Sequence, residues 1–166
     1  HAIMSQQLAT KAAATIAARF DALYDGVPTP GNVAATSDPL LRAVGLSGQK
    51  IGYMRDLCTR MLDGSLSLDA FDQMPDDEVV VALTQVKGIG RWTAEMFLMF
   101  RLHRPDVLPV GDLGIVKAVQ KAYRLRTLPT PERLTRIGEP WRPYRSMACW
   151  YLWASLHNKP LTSNKA

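Results

Sequence analysis

Apolar residues recur at helical spacing along nearly the whole chain, and no alternating run offers a strand. Ile3, Leu8, Ala12, Ile16, Phe20 and Leu23 advance by three to five residues with no Pro or Gly before Gly26. That stripe predicts a continuous amphipathic helix up to the turn segment Val27-Pro28-Thr29-Pro30-Gly31-Asn32. Further helices are expected at 38–44 and at 49–63, the second ending at Gly64. Ser67 is placed to cap a short helix through Met74, which Pro75 stops. Asp76-Asp77-Glu78 then put three carboxylates where a new helix would begin, favourable to its dipole. Val79, Val80, Leu83 and Val86 fit a helix better than a strand, since no partner strand is evident. Four more helices are predicted at 91–103, 113–124, 131–138 and 143–157, with Pro131 and Pro143 as start signals. The fold class is all-α.

The chain has 166 residues, enough for one domain or two small ones, and its 47% hydrophobic content argues against disorder. No apolar run approaches the roughly 20 residues of a membrane-spanning helix. Two cysteines, Cys58 and Cys149, cannot build a disulfide framework, a four-cysteine zinc site or a cysteine-ligated iron–sulfur cluster. They read as small buried hydrophobes and fit a reducing, intracellular setting. His1, His103 and His157 are too scattered for a metal site or a catalytic dyad. The chain opens without an initiator Met and inside a helical pattern, which leaves room for a further N-terminal segment. Charge is unevenly spread. Residues 1–83 carry 6 basic and 10 acidic side chains, whereas residues 84–145 carry 12 basic and 5 acidic. A basic half joined to an acidic half is the outline of a protein that meets a polyanion with one face.

The most informative stretch is Leu83-Thr84-Gln85-Val86-Lys87-Gly88-Ile89-Gly90-Arg91-Trp92-Thr93-Ala94. One helix ends, a Gly-x-Gly turn follows and another helix begins at once. The glycines permit positive φ and close approach of another chain. The N-terminal amides of the second helix, flanked by Lys87 and Arg91, form a seat for a phosphate. In this setting the stretch resembles the helix–hairpin–helix of the HhH-GPD DNA glycosylase superfamily. Pro109-Val110-Gly111-Asp112-Leu113-Gly114-Ile115 is similar to the family's loop with its essential aspartate. Gly-Ile-Gly-Arg-Trp-Thr-Ala looks like the alkylpurine branch, the 3-methyladenine DNA glycosylase II (AlkA-type) family. Ile3-Met4-Ser5-Gln6-Gln7-Leu8, Gly45-Leu46-Ser47 with Lys50-Ile51, and Pro140-Trp141-Arg142-Pro143-Tyr144-Arg145 extend the resemblance over essentially the whole chain.

The resemblance implies a single glycosylase domain over 1–166, with the hairpin at 76–103 and a catalytic loop at 104–112. It also implies two small helical subdomains with a cleft for DNA and base between them. Asp112 falls on the catalytic position, although its place ahead of an apolar helix is equally that of an ordinary N-cap. As the catalytic group it would stabilise the oxocarbenium-like sugar, or orient or deprotonate water. Trp92 stands where the strand-cleaving branches carry a Schiff-base lysine, so a monofunctional enzyme without lyase activity is expected. Trp92, Met96 and Trp150 fall on base-pocket positions, Met96 where some relatives have tyrosine. Core packing on helix 143–157 is the other reading for Trp150, Tyr151 and Trp153, which cannot all face one way. Trp141 reads as structural.

For DNA, the resemblance assigns phosphate contacts to Lys87, Gly88, Gly90, Arg91 and Thr93. Arg142 and Arg145 either touch DNA or hold Asp112. Gln7 aligns with the side chain that fills the gap left by a flipped nucleotide, with Gln6 as the fallback. No cofactor is required for the chemistry. The backbone carbonyls of Thr84, Val86 and Ile89 match positions that bind Na+ or K+ in relatives. Asp106, Glu95 and Glu132 read as surface or capping groups. The expected partner is double-stranded DNA with alkylated bases, met by a monomer in the cytoplasm or nucleoid, or in the nucleus of a eukaryote. No membrane partner is implied. The competing readings are a glycosylase for mispaired or oxidised bases, a non-catalytic helix–hairpin–helix module and a helical protein-interaction domain.

Overall fold

The computed structural model describes residues 2–6 and 8–157, and all regular structure among them is helical. In chain order the helices are α1 (Ala2–Ser5), α2 (Thr10–Ala22), α3 (Pro30–Ala35), α4 (Asp38–Ala43), α5 (Gly48–Leu62), α6 (Asp76–Thr84), α7 (Arg91–Phe100), α8 (Leu113–Ala122), α9 (Pro131–Gly138) and α10 (Arg145–His157). Short 3-10 turns lie at Asp69–Asp72 and Glu139–Trp141. No described helix is long and apolar enough to cross a membrane. The chain divides into two compact units, His1–Ala94 and Glu95–Ala166.

In the first unit α5 is the central element, packed against α1, α3 and α4. Its Ile51, Met54 and Cys58 join Ile3, Met4, Phe20, Val33, Leu41, Val44 and Leu46 in one apolar cluster. Ile89, from the turn between α6 and α7, packs on that cluster. Arg55 of α5 closes the end of α3. Its Nη1 donates to the Val33 and Ala34 carbonyls at 2.8 and 2.6 Å, and its Nη2 pairs with Asp38 at 2.9 Å. Carbonyls that helix ends leave without partners are thus satisfied by a side chain from the element beneath.

In the second unit α8 packs on α10. Ile115, Ala118 and Val119 of α8, Cys149 of α10 and Leu134 of α9 are fully enclosed. The loop from α7 to α8 is sewn to the start of α10. Ser146 Oγ donates to the Arg104 carbonyl at 2.7 Å and accepts the Val107 N–H at 3.0 Å. The Ser146 N–H donates to the Pro105 carbonyl at 2.9 Å.

Four expectations need correction. The stripe from Ile3 to Leu23 is not one helix, because α1 stops at Ser5 and α2 begins at Thr10. Lys50 Nζ donates to the Met4 and Gln6 carbonyls, 2.8 Å each, and Ala9 is extended. A long-range lysine therefore takes acceptors that a continuous helix would use. The turn segment at 27–32 contains the start of α3, where Thr29 and Asn32 exchange side-chain and backbone bonds around Pro30. Ser67 caps no helix, since the short 3-10 turn at Asp69–Asp72 has no side-chain cap. Helix α10 begins at Arg145, two residues beyond Pro143.

Glu95 is also not a surface group, being only 5% exposed. It sits in the buried stripe Ala94, Glu95, Leu98 and Met99 of α7, a spacing that the sequence already carried.

Candidate nucleic-acid interface and catalytic centre

The hairpin belongs to the first unit. Helix α6 ends at Thr84, and the Ile89 N–H bonds back to the Val86 carbonyl at 3.0 Å. Gly88 has φ +81°, and a Cβ there would lie 2.1 to 2.5 Å from ring carbons of Tyr53. Both the backbone angle and the ring beneath it require glycine. Gly90 has open space around the place of its missing Cβ, and its carbonyl accepts the Ala94 N–H at 3.1 Å as the first turn of α7 closes. Arg91 and Trp92 are exposed at that end of α7, whereas Thr93 is buried.

Lys87 holds its ammonium out in solvent and its backbone inward. Its N–H donates to Asp56 Oδ2 at 2.9 Å, and its Nζ stands 4.0 Å from Asp56 Oδ1. Arg60 Nε also donates to Asp56 Oδ2, at 3.0 Å. The Lys87 N–H foremost, and Arg60 after it, hold the Asp56 carboxyl below its ordinary range against the opposing effect of burial. Gln6 Nε2 donates to the Gly88 carbonyl at 2.7 Å. Gln7 lies outside the described residues.

Asp112 belongs to the second unit, and it is the N-cap of α8. Its Oδ1 accepts the Ile115 N–H at 2.8 Å and the Trp153 Nε1–H at 3.0 Å. The side chain is buried, with 9% of the residue exposed. Gly114 makes this closeness possible. A Cβ there would stand 3.0 Å from Asp112 Oδ1 and 3.1 Å from the Trp153 indole. The Asp-Leu-Gly order is thus a cap followed by a gap for an aromatic ring.

Trp153 is the residue that the sequence reading passed over in favour of Trp150. On α10, Arg145, Ser146, Cys149 and Trp153 follow at helical spacing, and each contacts the loop or cap of the Asp112 segment. Cys149 lies fully buried in that row. Burial, with the Asp112 charge next, pushes its thiol up to about 12. Trp150 packs on Phe100, the same ring that Trp153 stacks against, with centroid separations of 5.7 and 6.0 Å respectively. There it lines a cavity of about 870 Å³ with Met99, His103, Met147 and Tyr151. Met96 is half-buried on α7, and Trp141 packs near Tyr123 with centroids 6.4 Å apart.

Arg142 and Arg145 both converge on Asp106. Arg145 Nε and Nη2 donate to its carboxylate at 2.6 and 3.0 Å and to its carbonyl at 2.7 Å. Arg142 Nη1 reaches the same carboxylate at 2.7 Å, and its Nε reaches Glu139 at 2.8 Å. Their hold on Asp112 therefore runs through the loop, and Asp106 is a buttress rather than a surface acid. Burial alone would raise the Asp106 pKa, yet Arg145 and Arg142 overcome it and leave it lowered.

A carboxylate with a depressed folded pKa stabilises above its unfolded pKa of about 3.9 and loses that contribution as pH falls through the folded value. Asp106→Asn should therefore lower stability at pH 7 by about 1–2 kcal/mol, with the gap to the parent narrowing as the pH is taken down through the acid range where the folded carboxylate protonates. Urea titrations at neutral pH and in that acid range measure this, and an equal loss in both would contradict it.

No group of His, Cys, Asp and Glu among the described residues is arranged to hold a metal ion. An all-helical chain with a glycine hairpin and a capped, indole-bonded carboxylate after a proline loop has the features of a helix–hairpin–helix DNA glycosylase. Residues 1–143 match the HhH-GPD superfamily of base excision DNA repair proteins, and the chain belongs to that family.

The chain is 34% identical over 171 residues to DNA-3-methyladenine glycosylase 1 of Schizosaccharomyces pombe, covering 99% of this chain and 75% of that protein. It is 33% identical to the putative DNA-3-methyladenine glycosylase YfjP of Bacillus subtilis, covering 93% of this chain but only 56% of that one. A structure of the S. pombe 3-methyladenine DNA glycosylase in complex with abasic DNA superposes with a TM-score of 0.83 at 36% identity, covering 95% of this chain and 78% of that one.

Proposed function

We propose that the protein excises alkylated purines, of the 3-methyladenine and 7-methylguanine type, from duplex DNA by hydrolysing the N-glycosidic bond. The observation that carries this reading is the Asp112 carboxylate, buried at a helix N-terminus with Trp153 on the same oxygen. The names of the similar proteins support the substrate class. Two N–H donors fix Oδ1 in place, and a carboxylate is what a departing base calls for as positive charge builds on the deoxyribose. The C1′–N bond breaks with its electron pair leaving on the purine, already cationic through alkylation. Water then adds to C1′ and gives up a proton, for which Asp112 is the acceptor. Trp92 has no amine, so no Schiff base forms and the strand stays intact.

Trp92, Met96 and Trp150 are assigned to the extruded base, with Trp153 added beside the carboxylate. Stacking on such rings returns roughly 1–3 kcal/mol per base, enough to offset much of the cost of flipping. Lys87, Gly88, Gly90, Arg91 and Thr93 are assigned to phosphates, and Gln7 to the vacated gap. Arg142 and Arg145 act by fixing the loop ahead of Asp112. The carbonyls of Thr84, Val86 and Ile89 would hold a monovalent cation. Val86 spends one lone pair on Ile89 and keeps a second, and such hard oxygens suit Na+ or K+. A cation held there would supply positive charge toward a phosphate, apart from the bond-breaking step. DNA as substrate puts the enzyme in the compartment of the chromosome.

Incubation with a methylated duplex should release free 3-methyladenine, with strand breaks only after alkali. Release of 8-oxoguanine but no alkylpurine would replace this reading with the oxidised-base one. Enzyme-made breaks trapped by borohydride would overturn the monofunctional assignment.

A further inference from the structure

One face of α5 carries three side chains that take no part in the chemistry at Asp112. Lys50, Tyr53 and Asp56 follow at three-residue steps, and all three end at the polar corner of Gln6 or at the hairpin. Lys50 Nζ holds the Met4 and Gln6 carbonyls at 2.8 Å each. Tyr53 lies directly against Gly88. Asp56 takes the Lys87 N–H at 2.9 Å. Gln6 closes the circuit by donating to the Gly88 carbonyl at 2.7 Å.

We propose that Asp56 and Gln6 are positioning residues for DNA binding, holding the two peptide groups that flank the Lys87–Gly88 linkage in the conformation that presents the hairpin amides to a phosphate. Lys50 and Tyr53 keep the Gln6 corner and the hairpin at a fixed spacing. The proposal rests on the reading of the hairpin as the DNA-binding element. Gln6 is on this view a tie and not the side chain that fills the gap, because its amide is spent within the protein. An acid beside a phosphate seat would by charge alone weaken binding. The geometric and the electrostatic effects of Asp56 therefore have opposite signs, and an experiment separates them.

The parent, Asp56→Ala, Asp56→Asn and Gln6→Ala are titrated by fluorescence anisotropy with a duplex bearing a tetrahydrofuran abasic analogue. Their single-turnover release of 7-methylguanine is followed against enzyme concentration. Asp56→Ala and Gln6→Ala should each raise Kd and the half-saturating concentration about tenfold while the plateau rate is kept, as for a lost preorganising hydrogen bond. Asp56→Asn, whose amide oxygen still accepts the Lys87 N–H, should restore most of the binding. Tighter binding by both Asp56 variants would show that repulsion dominates and overturn the proposal. So would an unchanged Kd, or a fall in plateau rate for Gln6→Ala at constant Kd, which marks a gap-filling side chain. If Asp56→Ala does not fold, Asp56→Asn and Gln6→Ala decide. A parent that binds the abasic duplex but releases no alkylpurine would sink the proposed function and leave the anisotropy result to judge this inference.

Discussion

Asp112→Asn should stop base release while leaving the protein folded. The amide oxygen of Asn accepts the Ile115 N–H and the Trp153 Nε1–H as Oδ1 of Asp112 does, at 2.8 and 3.0 Å, so the cap on α8 survives. What disappears is the negative charge that the proposed mechanism sets against the sugar. Removing one well-placed electrostatic group from an active site costs about 10²–10³ in rate, and loss of the water-activating base adds to that. Single-turnover release from a methylated duplex measures the effect, and denaturant titration checks the fold. A variant with near-parental rate would leave Asp112 as a helix cap and nothing more. Asp112→Ala is a poorer test, since it also removes the cap, at about 1 kcal/mol of stability.

The second large effect separates two glycines only two residues apart. Gly88→Ala forces a side chain into positive φ, at about 1–2 kcal/mol, and drives its Cβ into the Tyr53 ring, at about 1–3 kcal/mol more. Stability should fall by roughly 3 kcal/mol and the hairpin should lose its shape. Gly90→Ala meets nothing within 4 Å, so the fold should barely change. Its new methyl group would instead stand on the exposed side of the turn, where the proposed function brings a phosphate to the amides. Affinity for an abasic duplex should drop about tenfold at nearly constant stability. Paired melting and anisotropy measurements check both halves, and equal losses of stability would contradict the distinction.

Local features were readable in the residues, and long-range ones were not. Helices α4 to α10 follow from apolar spacing, from acids at the start of α6 and from Thr130-Pro131 ahead of α9. The start of α3 is equally written in Thr29-Pro30-Gly31-Asn32, whose Thr and Asn form a capping box around Pro30. The break between α1 and α2 has no comparable signal. It depends on Lys50, whose ammonium reaches carbonyls more than 40 residues away in sequence. In the same way Asp56 and Tyr53 are an ordinary acid and an ordinary tyrosine until the hairpin is laid on α5.

Trp153 could have been found. Counting back along α10 from Trp153 gives Cys149 and then Arg145–Ser146, the row that grips the loop leading to Asp112. Trp150 falls off that row by one residue. The family resemblance named an indole for the site, and helical phase tells which indole touches the carboxylate.

Cys149 has a chemical consequence for a protein that works on methylated DNA. Electrophiles that methylate purines also methylate sulfur, but they react with thiolate rather than thiol. With its proton held up to about 12 and its sulfur sealed from solvent, Cys149 offers such reagents no nucleophile. Its place next to Asp112 thus adds no reactive sulfur to the repair centre under the very chemistry that creates its substrates.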